Sequence, residues 1–243
     1  MKNYIKKKLR VKFSNYFLNL SKKKKLYFPK KDTFKKILID TSDYYSPLCE
    51  LSRNLITDKS PYNQSGFRHA YTGIYHFLFK NIREDNLLIC ELGVLKNESI
   101  KLLRNYFTNS LIYAFDNEQN LINQAKEDNL KNVYYNYINV NDENNLNTTF
   151  HDLNLKFDII IDDSSHIFED QIKIIKNLHS YVKPGGIIII EDISGEFREE
   201  NYYKSLMEFN NYFKDIYFIE AKHKNIYTPL WDNNKILVLE KNK

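Results

Sequence analysis

Glycine is scarce in this chain, with six residues in 243. Only Gly93 follows the first strand-like run, so a G-x-G-x-x-G pyrophosphate nest is missing. That counts against NAD and nucleoside phosphates as cofactors. Cysteine is rarer still. Cys49 and Cys90 fit no zinc spacing and imply no disulfide framework, so a reducing, cytoplasmic location is expected. No apolar run approaches the roughly 18 residues of a membrane span. Lysines interrupt the N-terminal apolar residues, so no signal peptide is expected. Acid is absent from residues 1–31, which carry twelve Lys/Arg. The remainder holds 24 basic and 31 acidic groups, so the net charge of +5 is a local N-terminal feature on a mildly acidic body.

That basic stretch interleaves lysines with Tyr4, Ile5, Leu9, Phe13, Phe17 and Leu20. It has the pattern of an amphipathic helix, and residues 33–56 also look helical. We therefore expect a basic helical extension over residues 1–56, ahead of a main domain over 57–243. The extension suits docking on the body or on a second subunit, hence a homo-oligomer, or a peripheral membrane contact. Nucleic-acid binding would rest on charge alone, without a recognition motif, and is not expected.

Beyond Asn86 strand and helix patterns alternate. Strands are expected at 87–91, 111–116, 133–140, 157–162, 187–191, 216–220 and 235–240. Helices are expected at 99–106, 118–127, 169–181 and 199–213. This is the rhythm of an α/β fold with a doubly wound, mostly parallel seven-stranded sheet. The last two strands, with no helix between them, suggest an antiparallel hairpin at one edge.

Two strands carry the most information. Phe157-Asp158-Ile159-Ile160-Ile161-Asp162-Asp163-Ser164-Ser165-His166 and Gly185-Gly186-Ile187-Ile188-Ile189-Ile190-Glu191-Asp192 are apolar runs ending abruptly in acids. Such runs read as strands buried on both faces of a parallel sheet, whose carboxyl ends hold ligands. As neighbours, their tips would lie about 5 Å apart. Asp163, Glu191 and Asp192 then suit Mg²⁺, and His166 a general base.

The other strand ends complete a pattern. Glu91-Leu92-Gly93, Asp116, Asp142, the 157–163 run and Val182-Lys183-Pro184-Gly185-Gly186 together resemble the class I S-adenosylmethionine-dependent methyltransferases, over roughly residues 85–240. The resemblance implies a ribose contact at Asp116 and a methionine-facing loop at Gly93. Glu91, Ser99, Asn117 and Asp162 are further candidate cofactor positions, and Asn141-Asp142 would meet the adenine amino group. Taken alone, Asp116 would read as a helix cap.

A second resemblance is sharper. Thr57-Asp58-Lys59, His69-Ala70-Tyr71-Thr72-Gly73-Ile74-Tyr75, Glu91-Leu92-Gly93-Val94, Asp163-Ser164-Ser165-His166 and Glu191-Asp192 look like the metal-dependent sugar O-methyltransferases. That group includes enzymes acting on macrolide deoxysugars and relatives in surface-polysaccharide pathways, and is similar to the cephalosporin-hydroxylase-like group. It implies Mg²⁺ on Asp163, Glu191 and Asp192, His166 as base, and a sugar or nucleotide-sugar acceptor in capsule or surface-glycan synthesis. Ser164 departs from the family's usual glycine. His69, Tyr71 and Trp231 are candidate acceptor contacts. Asp58 and Lys59 read equally well as a turn salt bridge. The rival readings are a non-sugar vicinal diol as acceptor, a metal-dependent hydrolase, and a non-catalytic polyanion-binding protein.

Overall fold

The computed structural model describes residues 33–194, 199–229 and 232–243. The basic stretch of residues 1–31 and Trp231 lie outside the described residues. Residues Thr33–Lys243 form one compact unit. Among the described residues no helix is long and apolar enough to cross a membrane.

Among the described residues eight strands build one sheet: β1 (Lys35–Asp40), β2 (Leu88–Leu92), β3 (Leu111–Asp116), β4 (Val133–Tyr137), β5 (Phe157–Asp162), β6 (Val182–Ile190), β7 (Phe213–Lys222) and β8 (Lys235–Lys241). Their order is β1-β7-β8-β6-β5-β2-β3-β4. Of these, only β8 runs against its neighbours, β6 and β7; every other pairing is parallel. From β2 the chain steps outward to β3 and β4, then returns to place β5 on the other side. The sheet therefore reverses its winding between β2 and β5, where open α/β sheets bind ligands.

Seven described α-helices cover the sheet: α1 (Pro47–Ser52), α2 (Tyr71–Phe79), α3 (Glu98–Tyr106), α4 (Gln119–Glu127), α5 (Glu143–Leu153), α6 (Phe168–Leu178) and α7 (Glu199–Leu206). The period-2 alternation of strand side chains divides them between two cores. Ile89, Ile159 and Ile161 pack with α2 and α3. Cys90, Ile160 and Ile188 pack with α5, α6 and α7. Both faces are buried, which is why the central strands are continuous apolar runs.

Three expectations are corrected. The sheet has eight strands, not seven, because Lys35–Asp40 pairs in parallel with β7 and is not helical. This strand is short and exposed, with lysines at its start, so its apolar positions carry no clear period. Lys35 reaches Asp215 at 2.8 Å and Lys36 reaches Glu199 at 3.1 Å. Lysines on an edge strand also discourage pairing with another chain. Second, β1 covers β7, so the β7–β8 hairpin lies inside the sheet. Third, residues 138–140 leave the strand early, and α5 follows where the sequence pattern predicts no helix.

Gly93 ties the tips of β2 and β5 together. The Asp163 amide donates to the Leu92 carbonyl at 2.9 Å, and the Gly93 amide donates to the Phe115 carbonyl at 2.7 Å. Gly93 has φ +101°, and a Cβ there would sit 2.1 Å from the Asp163 carbonyl oxygen. Left-handed strain on a side-chain-bearing residue costs about 1–3 kcal/mol before any clash is counted. Gly93→Ala is expected to lower the unfolding free energy by about 2 kcal/mol or more in urea denaturation.

Candidate functional site

A cavity of about 520 Å³ opens over the carboxyl ends of β2, β3 and β5. Gly93, Ser99, Asp116, Asn117, Asn141, Asp163 and His166 all face it. Its lining also carries Asp58, Glu98 and Glu118 against a single lysine, Lys96. Such a cavity favours a cationic ligand. Its volume suits a cofactor-sized molecule.

Asp116, at the end of β3, organises one wall. Its Oδ2 accepts from the Val94 and Leu95 amides at 2.8 and 3.1 Å, and its Oδ1 from the Glu118 amide at 2.9 Å. These bonds hold the β2–α3 loop against the β3 tip. A carboxylate offers about four acceptor positions, so one is left for a ligand. Glu91 points the other way. It is fully buried and accepts from the Ser99 hydroxyl, and so sits beneath the cavity floor. Asp142 caps α5, accepting from the Asn144 and Asn145 amides at 3.0 and 3.2 Å. Its neighbour Asn141 is the residue that lines the cavity.

The pair at the end of β5 separates cleanly. Asp162 is buried and accepts from the Ser164 amide and hydroxyl at 3.2 and 2.6 Å. Burial raises its carboxyl to about 6. Asp163 turns into the cavity. β5 and β6 are neighbours, with Asp162 opposite Ile190, so Glu191 and Asp192 emerge beside Asp163. Asp163, His166 and Asp192 offer oxygen and nitrogen atoms that all lie within 4.8 Å of one another. His166 Nε2 is 3.8 Å from Asp163 Oδ1 and 4.0 Å from Asp192 Oδ2. Both His166 and Asp192 have left-handed backbones, at φ +56° and +53°. Non-glycine residues hold that conformation at a cost, and such strain clusters at ligand sites.

Glu191 is directed elsewhere. Its Oε1 meets Lys59 Nζ at 2.6 Å and accepts from the Tyr75 hydroxyl. Lys59 Nζ also donates to Asp163 Oδ2 at 2.5 Å and lies 3.4 Å from Glu91 Oε1. The Lys59 side chain is 1% exposed. Burial alone would lower its pKa, but Asp163, Glu191, Glu91 and Asp58 outweigh that and hold the ammonium well above its ordinary value. Burial raises Glu91 and, more strongly, Glu191, with Lys59 opposing in both. The cluster is thus richer in buried carboxylates than one ammonium balances. His166 Nδ1, buried, has no hydrogen-bond partner. An excess of hard oxygen donors beside an imidazole fits a divalent cation on Asp163 and Asp192.

Residues His69 and Tyr71 support this cluster from behind. The Tyr71 hydroxyl donates to Asp192 Oδ1 at 2.7 Å, and Asn233 Nδ2 donates to Asp192 Oδ2 at 2.9 Å. The His69 ring stacks on Tyr71 at 4.8 Å, with Nε2 3.6 Å from Asp192 Oδ2. Both residues are buried, so they orient Asp192 and do not face the cavity. Gln171 donates to the Glu191 carbonyl at 3.0 Å and accepts from the Tyr202 hydroxyl at 2.6 Å, which fixes the β6 tip. Sequence reasoning misses Tyr75, Gln171 and Asn233 as site residues, and leaves Lys59 open between the family motif and a turn salt bridge. Tyr75 alone leaves a signal, four residues after Tyr71 and so on the same helix face.

An open, mostly parallel sheet, with an antiparallel strand inserted beside β6 and a cavity over β2 and β3, defines a class I methyltransferase domain. The family described as "Methyltransferase domain" matches residues 84–235, and the chain belongs to that family. Over 155 residues it is 29% identical to the demethylmacrocin O-methyltransferase of Streptomyces fradiae, covering 60% of this chain and 36% of that enzyme. The fold is similar to the MycE methyltransferase of the mycinamycin biosynthetic pathway, solved with Mg, SAH and mycinamycin VI. The TM-score is 0.59 at 22% identity, over 82% of this chain and 56% of that one. The CurJ carbon methyltransferase matches with TM-score 0.50 at 12% identity, over 71% of this chain and 53% of that one. The chain thus spans about half or less of the length of these relatives. The fold is shared by enzymes that methylate oxygen and carbon, so the acceptor has to be argued from the site.

Lys59→Met removes the only cation within reach of Glu91 and Glu191 among the described residues. Breaking one partner out of a buried ion pair costs about 3–5 kcal/mol. That loss is expected in urea denaturation of the metal-free variant.

Proposed function

We propose that this protein transfers a methyl group from S-adenosylmethionine to a hydroxyl of a sugar-containing acceptor, with Mg²⁺ and with His166 as general base. The observation that carries this reading is the adjacency of two features. An acidic cavity over β2 and β3 shares Asp163 and His166 with the Asp163–His166–Asp192 cluster. The identity to an O-methyltransferase and the fold shared with an enzyme solved with Mg and SAH support it.

In this reading the acidic lining receives the sulfonium cofactor. Asp116 accepts a ribose hydroxyl while holding the Gly93 loop, and Asn141 stands at the adenine end. Asp163 and Asp192 would hold the ion, which would stabilise developing alkoxide character on an acceptor oxygen. Glu191, a metal ligand by the family resemblance, pairs with Lys59 beside them. The acceptor oxygen attacks the sulfonium methyl, forming a carbon–oxygen bond as the carbon–sulfur bond breaks. Nε2 of His166 takes the hydroxyl proton, and the carboxylates at 3.8 and 4.0 Å stabilise the imidazolium. S-adenosylhomocysteine is the other product. The remaining contribution is alignment of the two reactants.

A second cavity favours a charged acceptor. Asn63 lines both cavities, and the second is bounded by residues 61–64, Arg68 and residues 224–226. Its charged lining residues, Arg68 and Lys224, are both cationic. Arg68 is fixed by its bond from Nε to the Asn225 carbonyl at 2.9 Å and by the Tyr227 ring. This suits the phosphates of a nucleotide-linked sugar, in keeping with surface-glycan synthesis.

Calorimetry is expected to detect S-adenosylmethionine binding in EDTA as well as with Mg²⁺, because the ion serves the acceptor. Asp116→Ala should weaken that binding about tenfold or more. A folded sample that binds no S-adenosylmethionine in either buffer would sink the reading. With an acceptor in hand, Asp163→Asn should abolish metal-dependent turnover while Asp162→Asn retains it. His166→Ala should lower kcat about 10²–10⁴-fold. The opposite ranking of the two aspartates would reassign the metal ligand.

A further inference from the structure

Asp170, in the first turn of α6, takes no part in the chemistry above, yet it is tied into the cavity wall. An acid at a helix start is ordinary, and so is its pairing with Lys173 three residues on, at 3.2 Å. Its other bonds are not. The Asp170 side chain is 7% exposed, and its Oδ2 accepts from the Ser165 hydroxyl at 2.8 Å. That hydroxyl accepts in turn from the Ile167 amide at 3.3 Å. Lys173 also donates to the Asn141 carbonyl at 2.9 Å, so one lysine fixes both the carboxylate and the backbone of the cavity-lining residue. The Asn141 carboxamide meets both Asp170 oxygens: its nitrogen donates to Oδ1 at 2.9 Å and also to Oδ2. A carboxylate offers only acceptors. The reverse orientation would set the carboxamide oxygen against two carboxylate oxygens. The nitrogen therefore stays with Asp170, and the oxygen is left to accept from a ligand.

We propose that Asp170 is a positioning residue that sets the base specificity of the cofactor site: by holding the nitrogen of Asn141, it makes the site accept a 6-amino purine and reject a 6-oxo one. The proposal rests on the reading above, in which Asn141 stands at the adenine end. The exocyclic amine of adenine donates to the fixed oxygen. Hypoxanthine carries a carbonyl at the same position and would bring two acceptors face to face. Leaving both unpaired makes the wrong base costly. Asn141 itself is exposed, and a free carboxamide there could turn over to suit either base. Selectivity therefore lies in the buried carboxylate behind it. In Asp170→Asn, Lys173 still meets an oxygen, and the new amide nitrogen faces Asn141. Asn141 would then turn its own nitrogen toward the ligand.

The test is calorimetric titration of the full chain with S-adenosylhomocysteine and with S-inosylhomocysteine, its 6-oxo counterpart. The wild type is expected to bind the 6-amino compound about tenfold more tightly or better. Asp170→Asn should weaken that compound, tighten the 6-oxo one, and bring the two within about threefold of each other. Asn141→Ala should bring them equally close, because the oxygen that tells them apart is gone. A merely structural aspartate would weaken both compounds in parallel and keep their ratio, and that result overturns the proposal. So does a wild type that binds both equally well, or discrimination that survives in Asn141→Ala. This last variant changes an exposed side chain, and it decides the outcome should Asp170→Asn fail to fold. A folded wild type that binds neither S-adenosylhomocysteine nor S-adenosylmethionine is a different result: it overturns the cofactor reading itself, and the proposal with it.

Discussion

One buried ammonium among carboxylates is the interaction on which the rest of the site depends. Unit charges about 4 Å apart interact by roughly 4 kcal/mol at an effective dielectric constant of 20, and desolvation opposes much of that gain. Lys59 overcomes its own desolvation only because several acids surround it. In return it fixes the tips of β2, β5 and β6 relative to the segment ahead of α2. Without it, Glu91 and Glu191 would be buried anions with hydroxyl partners alone.

The sheet supplies the frame within which that cluster makes chemical sense. Parallel strands in register bring Asp163 and Glu191 side by side, and the β2/β5 reversal opens the cavity next to them. The turns after β5 and β6 then aim the functional groups. His166 and Asp192, both in left-handed conformations, direct an imidazole and a carboxylate toward the Asp163 oxygen. Hydrogen bonds from Tyr71 and Asn233 hold Asp192 in that orientation. Strain at Asp192 is thus offset by bonds from α2 and from the segment before β8.

Much of this arrangement is legible in the residues. The central strands announce themselves because burial on both faces demands unbroken apolar runs, and 111–116 and 157–162 emerge with the expected limits. The acids at their ends are visible for the same reason: a carboxylate after a run of buried aliphatic residues marks a strand tip. Edge and surface elements are less legible. β1 is half apolar and half charged, and only its pairing with β7 decides its conformation. α5 contains Thr148, Thr149 and several asparagines, which are weak helix formers. Its Asp142 cap and the buried Leu146 and Phe150, four residues apart, hold it in place. Direction is the hardest property to read. Nothing in the sequence says that Glu191 turns toward a lysine 132 residues earlier, because that depends on tertiary geometry alone.

Helix α2 behaves as a ruler. Tyr71 and Tyr75 stand one turn apart, and their hydroxyls reach the consecutive residues Asp192 and Glu191. The same helix begins on the carbonyl of Lys59. Lysine, helix and strand tip therefore share one register, and an insertion of a single residue between Tyr71 and Tyr75 would take the two hydroxyls off the same helix face. For recombination with related sequences, the stretch from Thr57 to Phe79 would have to be exchanged as a block together with its cognate Glu191-Asp192 tip. Productive crossovers would fall outside that block.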